Sequence, residues 1–158
     1  MPSQPKPSPK LAIQIQCASP ALEKSLHAIA SPTLLKKWVK AATHHHGSLT
    51  LRFVNAVEGK KLNRAFRNKD VPTNVLTFPY ELSKQALCAD IVFCWPVIQK
   101  EARAQGKTAK AHLAHLVIHG CLHAQGYDHE VDREAQKMEN LEITLLKKLG
   151  IPNPYLAP

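Results

Sequence analysis

Residues 110–125 read KAHLAHLVIHGCLHAQ, and this stretch decides what kind of molecule the chain makes. Leu113, Leu116, Val117, Ile118, Cys121 and Leu122 cover most directions of a helix drawn through it. A helix that is apolar nearly all round is a buried one, so other elements must pack about it. The histidines do not share that scatter. At 100° per residue, His112, His115, His119 and His123 fall within an arc of about 80°, a polar stripe on a buried helix.

Working outward, the neighbouring segments alternate between strand and helix patterns. Leu11–Gln16 alternates apolar and polar residues and reads as a strand. Ser31-Pro32 has the form of an N-cap with proline at the first helical position, and Leu34, Leu35, Trp38, Val39 and Ala42 supply the stripe that follows. Gly47 ends that helix. Residues 48–56 read as a second strand and residues 58–68 as a short basic helix. Thr73–Phe78 and Asp90–Trp95 are the third and fourth strands, and Pro96 opens a helix to about Gly106. A last helix over Val131–Leu149 shows Val131, Ala135, Met138, Leu141 and Leu145 on one face, and Gly150 and Pro152 stop it. The expectation is an α/β (α+β) layer, four strands with about five helices, folded as a single domain over residues 11–158.

The chain of 158 residues suits one compact domain, and residues 1–10, rich in Pro, Ser and Lys, read as a solvated tail. No apolar run reaches the roughly 18 residues of a membrane span. Cys17, Cys88, Cys94 and Cys121 lie far apart with no CxxC pair, which points to reduced thiols and a cytoplasmic setting. The formal charge of +9 is uneven: residues 1–70 hold 12 Lys and Arg against 3 Asp and Glu, whereas residues 71–158 hold 9 of each. A surplus confined to one half suits a polyanionic partner, although solubility alone would also account for it.

The chemistry lies in His119-Gly-Cys-Leu-His123-Ala-Gln-Gly126-Tyr-Asp-His129, of form HGxxHxxGxxH. Two histidines at i and i+4 leave one helical face and can share a metal ion. Gly126 tolerates positive φ, so the chain can turn back and bring His129 to the ion from a third direction. Three imidazoles leave one tetrahedral position for water, the pattern of catalytic zinc. The metzincin proteases have the same spacing with Glu after the first histidine. Gly120 stands there instead, so proteolysis is disfavoured, and the glycine is expected to clear space beside the metal for a bulky substrate. His115 reads as a satisfied core histidine ahead of one hydrogen-bonding in the cleft, His44–His46 as an exposed helix end ahead of an adventitious metal site, and Asp128 as a cap for the helix after it ahead of a group orienting a ligand imidazole. A second cluster, Lys60, Lys61, Arg64, Arg67 and Lys69, suits a phosphate backbone, with Arg67 entering a compact loop.

Two of these segments carry a family resemblance. LNRAFRNKDVPTNVLTFPYE (62–81) resembles the YbeY-family stretch LNxxYRxKDxPTNVLSFPxE, and HGCLHAQGYDH (119–129) resembles that family's HGxLHLxGYDH. The ending Gly150-Ile-Pro-Asn-Pro-Tyr155 is similar as well. The chain departs from the family at Ala89-Asp90, where Gly-Asp is usual, and is short between Glu81 and Asp90. The resemblance implies a small mixed sheet and a metal-dependent endoribonuclease specific for single strands, acting in 16S rRNA maturation and ribosome quality control. It implies His119, His123 and His129 as zinc ligands, Arg67 as the arginine needed for cleavage, and the small ribosomal subunit with its assembly factors as partners. The metal-bound His119 and Arg67 are thus the expected catalytic residues. A zinc-stabilised assembly factor without catalysis is the alternative reading, and a peptidase using Glu81 or Asp90 as base is the third.

Overall fold

The structure, a computed structural model, describes residues 10–67, 73–128 and 130–157, apart from the side chain of Arg67. Strand β1 (Leu11–Cys17) is followed by helices α1 (Pro20–Ile29) and α2 (Pro32–Ala42), then by β2 (His46–Val54) and α3 (Ala56–Arg67). A hairpin of β3 (Val75–Leu82) and β4 (Ala86–Cys94) leads into α4 (Trp95–Ala104), α5 (Ala109–Ala124) and α6 (Asp132–Lys148). The strands make one mixed sheet in the order β1-β2-β4-β3, with β1, β2 and β4 parallel and β3 antiparallel on the edge. The expected sheet of four strands is present. The helices number six among the described residues, one beyond the five segments read as helical from the sequence.

The added helix is α1. Its start repeats the Ser-Pro signal of α2: the Ser19 hydroxyl accepts from the Leu22 amide at 3.2 Å, as the Ser31 hydroxyl does from Leu34 at 3.1 Å. Its buried stripe is only Leu22 and Leu26, too thin to stand out in the sequence. The second strand also starts earlier than expected, at His46, so the last histidine of the run is in the sheet, while His44, which is exposed, and His45 link it to the end of α2.

The sheet alternates cleanly. Leu49, Leu51 and Phe53 of β2 and Leu87, Ala89, Ile91 and Phe93 of β4 face the main core, where α1, α2, α4, α5 and α6 pack. Phe53 and Phe93, paired in register, stack at 5.0 Å between centroids. Each fully buried side chain of this size contributes about 1.5–3 kcal/mol over leaving it exposed. The opposite face carries a smaller cluster, Val54, Leu76, Val92 and Cys94, covered by Leu62 of α3. Farther along that face Gln14 and Ser48 are exposed.

Helix α5 is the centre of the molecule, as its composition requires: its apolar residues from Leu113 to Leu122 are all buried. The short stretch before Asp90 is a tight hairpin, in which the Ser83 amide donates to the Ala86 carbonyl at 2.9 Å and the Ala86 amide to the Ser83 hydroxyl at 3.0 Å. Cys94 and Cys121 are buried as expected, and burial pushes the Cys121 thiol up to about 12, which makes it an inert core residue. No helix of the described residues is long and apolar enough to cross a membrane.

Candidate metal centre

The four imidazoles of α5 form a continuous row. Ring centroids are 6.5 Å apart for His112 and His115, 6.2 Å for His115 and His119, and 4.6 Å for His119 and His123. The closest pair is therefore the i, i+4 pair of the motif, with ring planes at 81°. The turn after it behaves as its glycine predicts. Gly126 has φ +93°, the Tyr127 amide returns to the Leu122 carbonyl at 3.1 Å, and the chain reverses over the end of the helix. His129, the third expected ligand, lies outside the described residues, and so does the side chain of Arg67, whose backbone closes α3.

What holds the row is a carboxylate that sequence reasoning missed. Glu142 of α6 is fully buried and accepts from His119 Nδ1 at 2.9 Å, from His115 Nε2 at 3.3 Å and from the Tyr155 hydroxyl. Burial alone would raise its pKa. The hydrogen bonds from His115, His119 and Tyr155, together with the charge of His115, outweigh burial and hold the carboxyl at about 2. Burial and the Glu142 contact push the Tyr155 hydroxyl well above its ordinary value, so it stays a donor. Near the start of α5 a second carboxylate plays a similar part: Glu101 meets His112 Nε2 at 3.3 Å and accepts from Asn74 Nδ2 at 3.1 Å. Burial lowers the pKa of His112, which keeps that ring neutral.

These contacts bear on three expectations. His115, read chiefly as a satisfied core histidine, is satisfied by Glu142, which it shares with His119. Asp128 does not cap α6: its carboxylate accepts from the Glu130 amide at 3.3 Å, and the N-cap position is Val131, which is exposed. Gly120 does not clear space for a substrate. A Cβ there would lie 2.9 Å from Ile91 Cγ2 and 3.5 Å from Val75 Cγ2, so the glycine lets α5 sit close on β3 and β4. A glutamate in its place would drive into the sheet.

The signal for Glu142 was present in the sequence. It lies four residues from both Met138 and Leu146, the buried residues of α6, so a carboxylate stands in the apolar stripe. A buried charge is retained only with partners, and here the partners are the histidine row and Tyr155.

The donor set suits a metal ion. Ligand atoms of His115, His119 and Glu142 lie within 4.8 Å of one another, a group that could hold one. The same residues also fit a neighbouring position. With Nδ1 of His119 held by Glu142, Nε2 is the ring nitrogen that would meet an ion shared with His123, as in the common carboxylate–histidine–metal arrangement.

A model of the YbeY family, described as endoribonuclease YbeY, matches residues 13–150. The endoribonuclease YbeY of Polynucleobacter asymbioticus is 69% identical over 148 residues, which span 94% of this chain and 96% of that protein. That of Herminiimonas arsenicoxydans is 51% identical and covers 93% of this chain and 96% of its own length. Among solved structures, the solution structure of TM1509 from Thermotoga maritima is similar with a TM-score of 0.54 and 28% identity, covering 87% of this chain and 91% of that one.

Proposed function

This chain belongs to the YbeY family, and from that premise we propose that it is a zinc-dependent endoribonuclease for single-stranded RNA, acting in maturation of the 16S rRNA 3′ end and in ribosome quality control. The curated relatives are named as endoribonucleases, so the chain is by family a hydrolase of the nuclease class. The observation that carries the finer reading is the close His119–His123 pair with Nδ1 of His119 held by a buried carboxylate.

In this reading His119, His123 and His129 hold the ion and Glu142 orients His119. Zinc would supply Lewis-acid activation of water or of a phosphoryl oxygen. Glu142 fixes the His119 tautomer and keeps its ring from turning. Arg67, leaving the basic helix α3, meets the scissile phosphate or the charge that develops on it, for which a bidentate guanidinium is suited. The peptidase reading is weakened by Gly120, which packs on Ile91 and leaves no room for a carboxylate. Partners in this reading are 16S rRNA and the small ribosomal subunit with its assembly factors, in the cytoplasm.

The test is cleavage of a single-stranded RNA and its duplex by the purified chain, before and after chelation. The single strand is expected to be cut, the duplex spared, and activity lost with the metal and restored by zinc. Binding without cleavage in every condition would favour the zinc-stabilised assembly factor. Salt dependence reports the electrostatic part separately. If Lys60, Lys61 and Arg64 each meet a phosphate, the logarithmic salt slope for a single strand is about −2, and a fourfold rise in salt loosens binding roughly 20-fold. A flat response would remove α3 from the interface.

A further inference from the structure

On the sheet face turned away from α5, a cavity of about 230 Å³ opens between α3 and the strands, lined by Phe66, Phe78, Tyr80, Thr50, Arg52 and Asp90. It is smaller than the roughly 300 Å³ at which sites for drug-sized ligands begin. Two of its walls are unusual for a soluble surface: Phe66 is 64% exposed and Tyr80 66% exposed. Neither ring is loose. Phe66 rests edge-on against Phe78, with centroids 4.9 Å apart, and the Tyr80 hydroxyl donates to Asp90 Oδ2 at 2.8 Å. Leu62 and Val92 make the rest of the lining largely apolar, and Arg52 Nη2 donates to both carboxylate oxygens of Glu58 at 2.9 and 3.2 Å.

We infer that this cavity is a subsite for one unpaired nucleobase of the RNA, stacked between Phe66 and Tyr80. The inference rests on the ribonuclease reading for the identity of its ligand. A flat aromatic ligand is what two exposed, pre-set rings accommodate, and base–aromatic stacking tolerates any base because every base has a π face. Arg52 and Asp90 offer a donor and an acceptor to the base edge. The same helix that brings Phe66 carries Lys60, Lys61 and Arg64 on its exposed surface, which suits the phosphates on either side of the stacked base.

The position relative to the histidine row supports the assignment. Strand β3 is the sheet edge. Gly120 of α5 packs against Val75 on one face of β3 and Gly126 lies beside Leu82, whereas Phe78 lines the cavity on the other face. A single strand crossing that edge would place one base in the cavity and a phosphate a few nucleotides away near His119 and His123. A duplex is too thick and too stiff to fold over one strand, so the subsite also selects for unpaired RNA.

The probe is a single-stranded 2′-O-methyl oligonucleotide, which resists cleavage, carrying one 2-aminopurine, and a matched oligonucleotide with abasic sugars throughout. The parent chain is expected to quench the 2-aminopurine on binding. Tyr80→Ala and Phe66→Ala are expected to lose the quenching and to bind roughly tenfold more weakly, the order of one base–aromatic stack. Tyr80→Phe keeps the ring and is expected to bind like the parent. On the abasic oligonucleotide the difference between parent and alanine variants should vanish. Alanine variants that bind within twofold of the parent and still quench would overturn the subsite, even if the chain cleaves RNA. Stacking by a parent that never cleaves would leave the subsite standing and overturn the nuclease reading instead.

Discussion

Replacing His123 by alanine is expected to reduce RNA cleavage more than about a thousandfold and to empty the metal site. Loss of one of the three proposed ligands would remove an ion worth several kcal/mol of charge stabilisation, at about 1.4 kcal/mol per tenfold in rate. The fold should survive, because His123 is only partly buried at the end of α5 and its truncation opens no core cavity. Metal content by mass spectrometry, cleavage beside an identically purified parent and a thermal melt of the metal-free protein separate these effects. The comparison that matters is His115→Ala. If that variant loses the ion while His123→Ala keeps both ion and activity, the metal sits in the His115, His119 and Glu142 group, and the proposed ligand set is wrong.

Glu142→Leu should be the most damaging single change to the site's framework. The leucine fills the space, yet the donors of His115, His119 and Tyr155 lose a common buried acceptor. Removing one partner from a buried charged network costs about 3–5 kcal/mol. At about 2–4 °C per kcal/mol for a chain of this size, the melting temperature falls by roughly 10 °C. Glu142→Gln keeps the volume and one acceptor for His119, so its melting loss should be smaller. Its metal affinity, measured by competition with a chelator, is expected to fall about 10–100-fold, as for other carboxylates that orient a ligand. Complete loss of metal with no loss of stability would make Glu142 a direct ligand, not an orienting group.

Much of this architecture was legible in the sequence, and what was not legible has physical reasons. The apolar run from Leu113 to Leu122 announced a buried helix, and the HxxxH spacing with Gly126 announced the close His119–His123 pair and the turn that follows it. Local signals of this kind need only the geometry of one element. Glu142 escaped because a glutamate on an amphipathic helix normally faces water. Only the packing of α6 on α5 shows that it faces His115 and His119. Gly120 was misassigned for a related reason: the sequence places it beside His119, but only the approach of Ile91 shows which neighbour requires the missing side chain. Helix α1 escaped because two buried leucines make a weak periodic signal, although its Ser19-Pro20 start matches that of α2.

The order of strands has a consequence for how the chain folds. Leu82 pairs with Leu87 across a tight turn, so the β3–β4 hairpin closes locally and at little entropic cost. Gly47 must find the same Leu87 from forty residues away, with α3 and β3 lying between them in the chain. Contacts of such long range slow folding, so the docking of β2 onto β4 is the step expected to limit its rate. Until then the apolar side of β4 is open to other chains, and dilution or a chaperone during refolding should raise the yield more than any change near the histidine row.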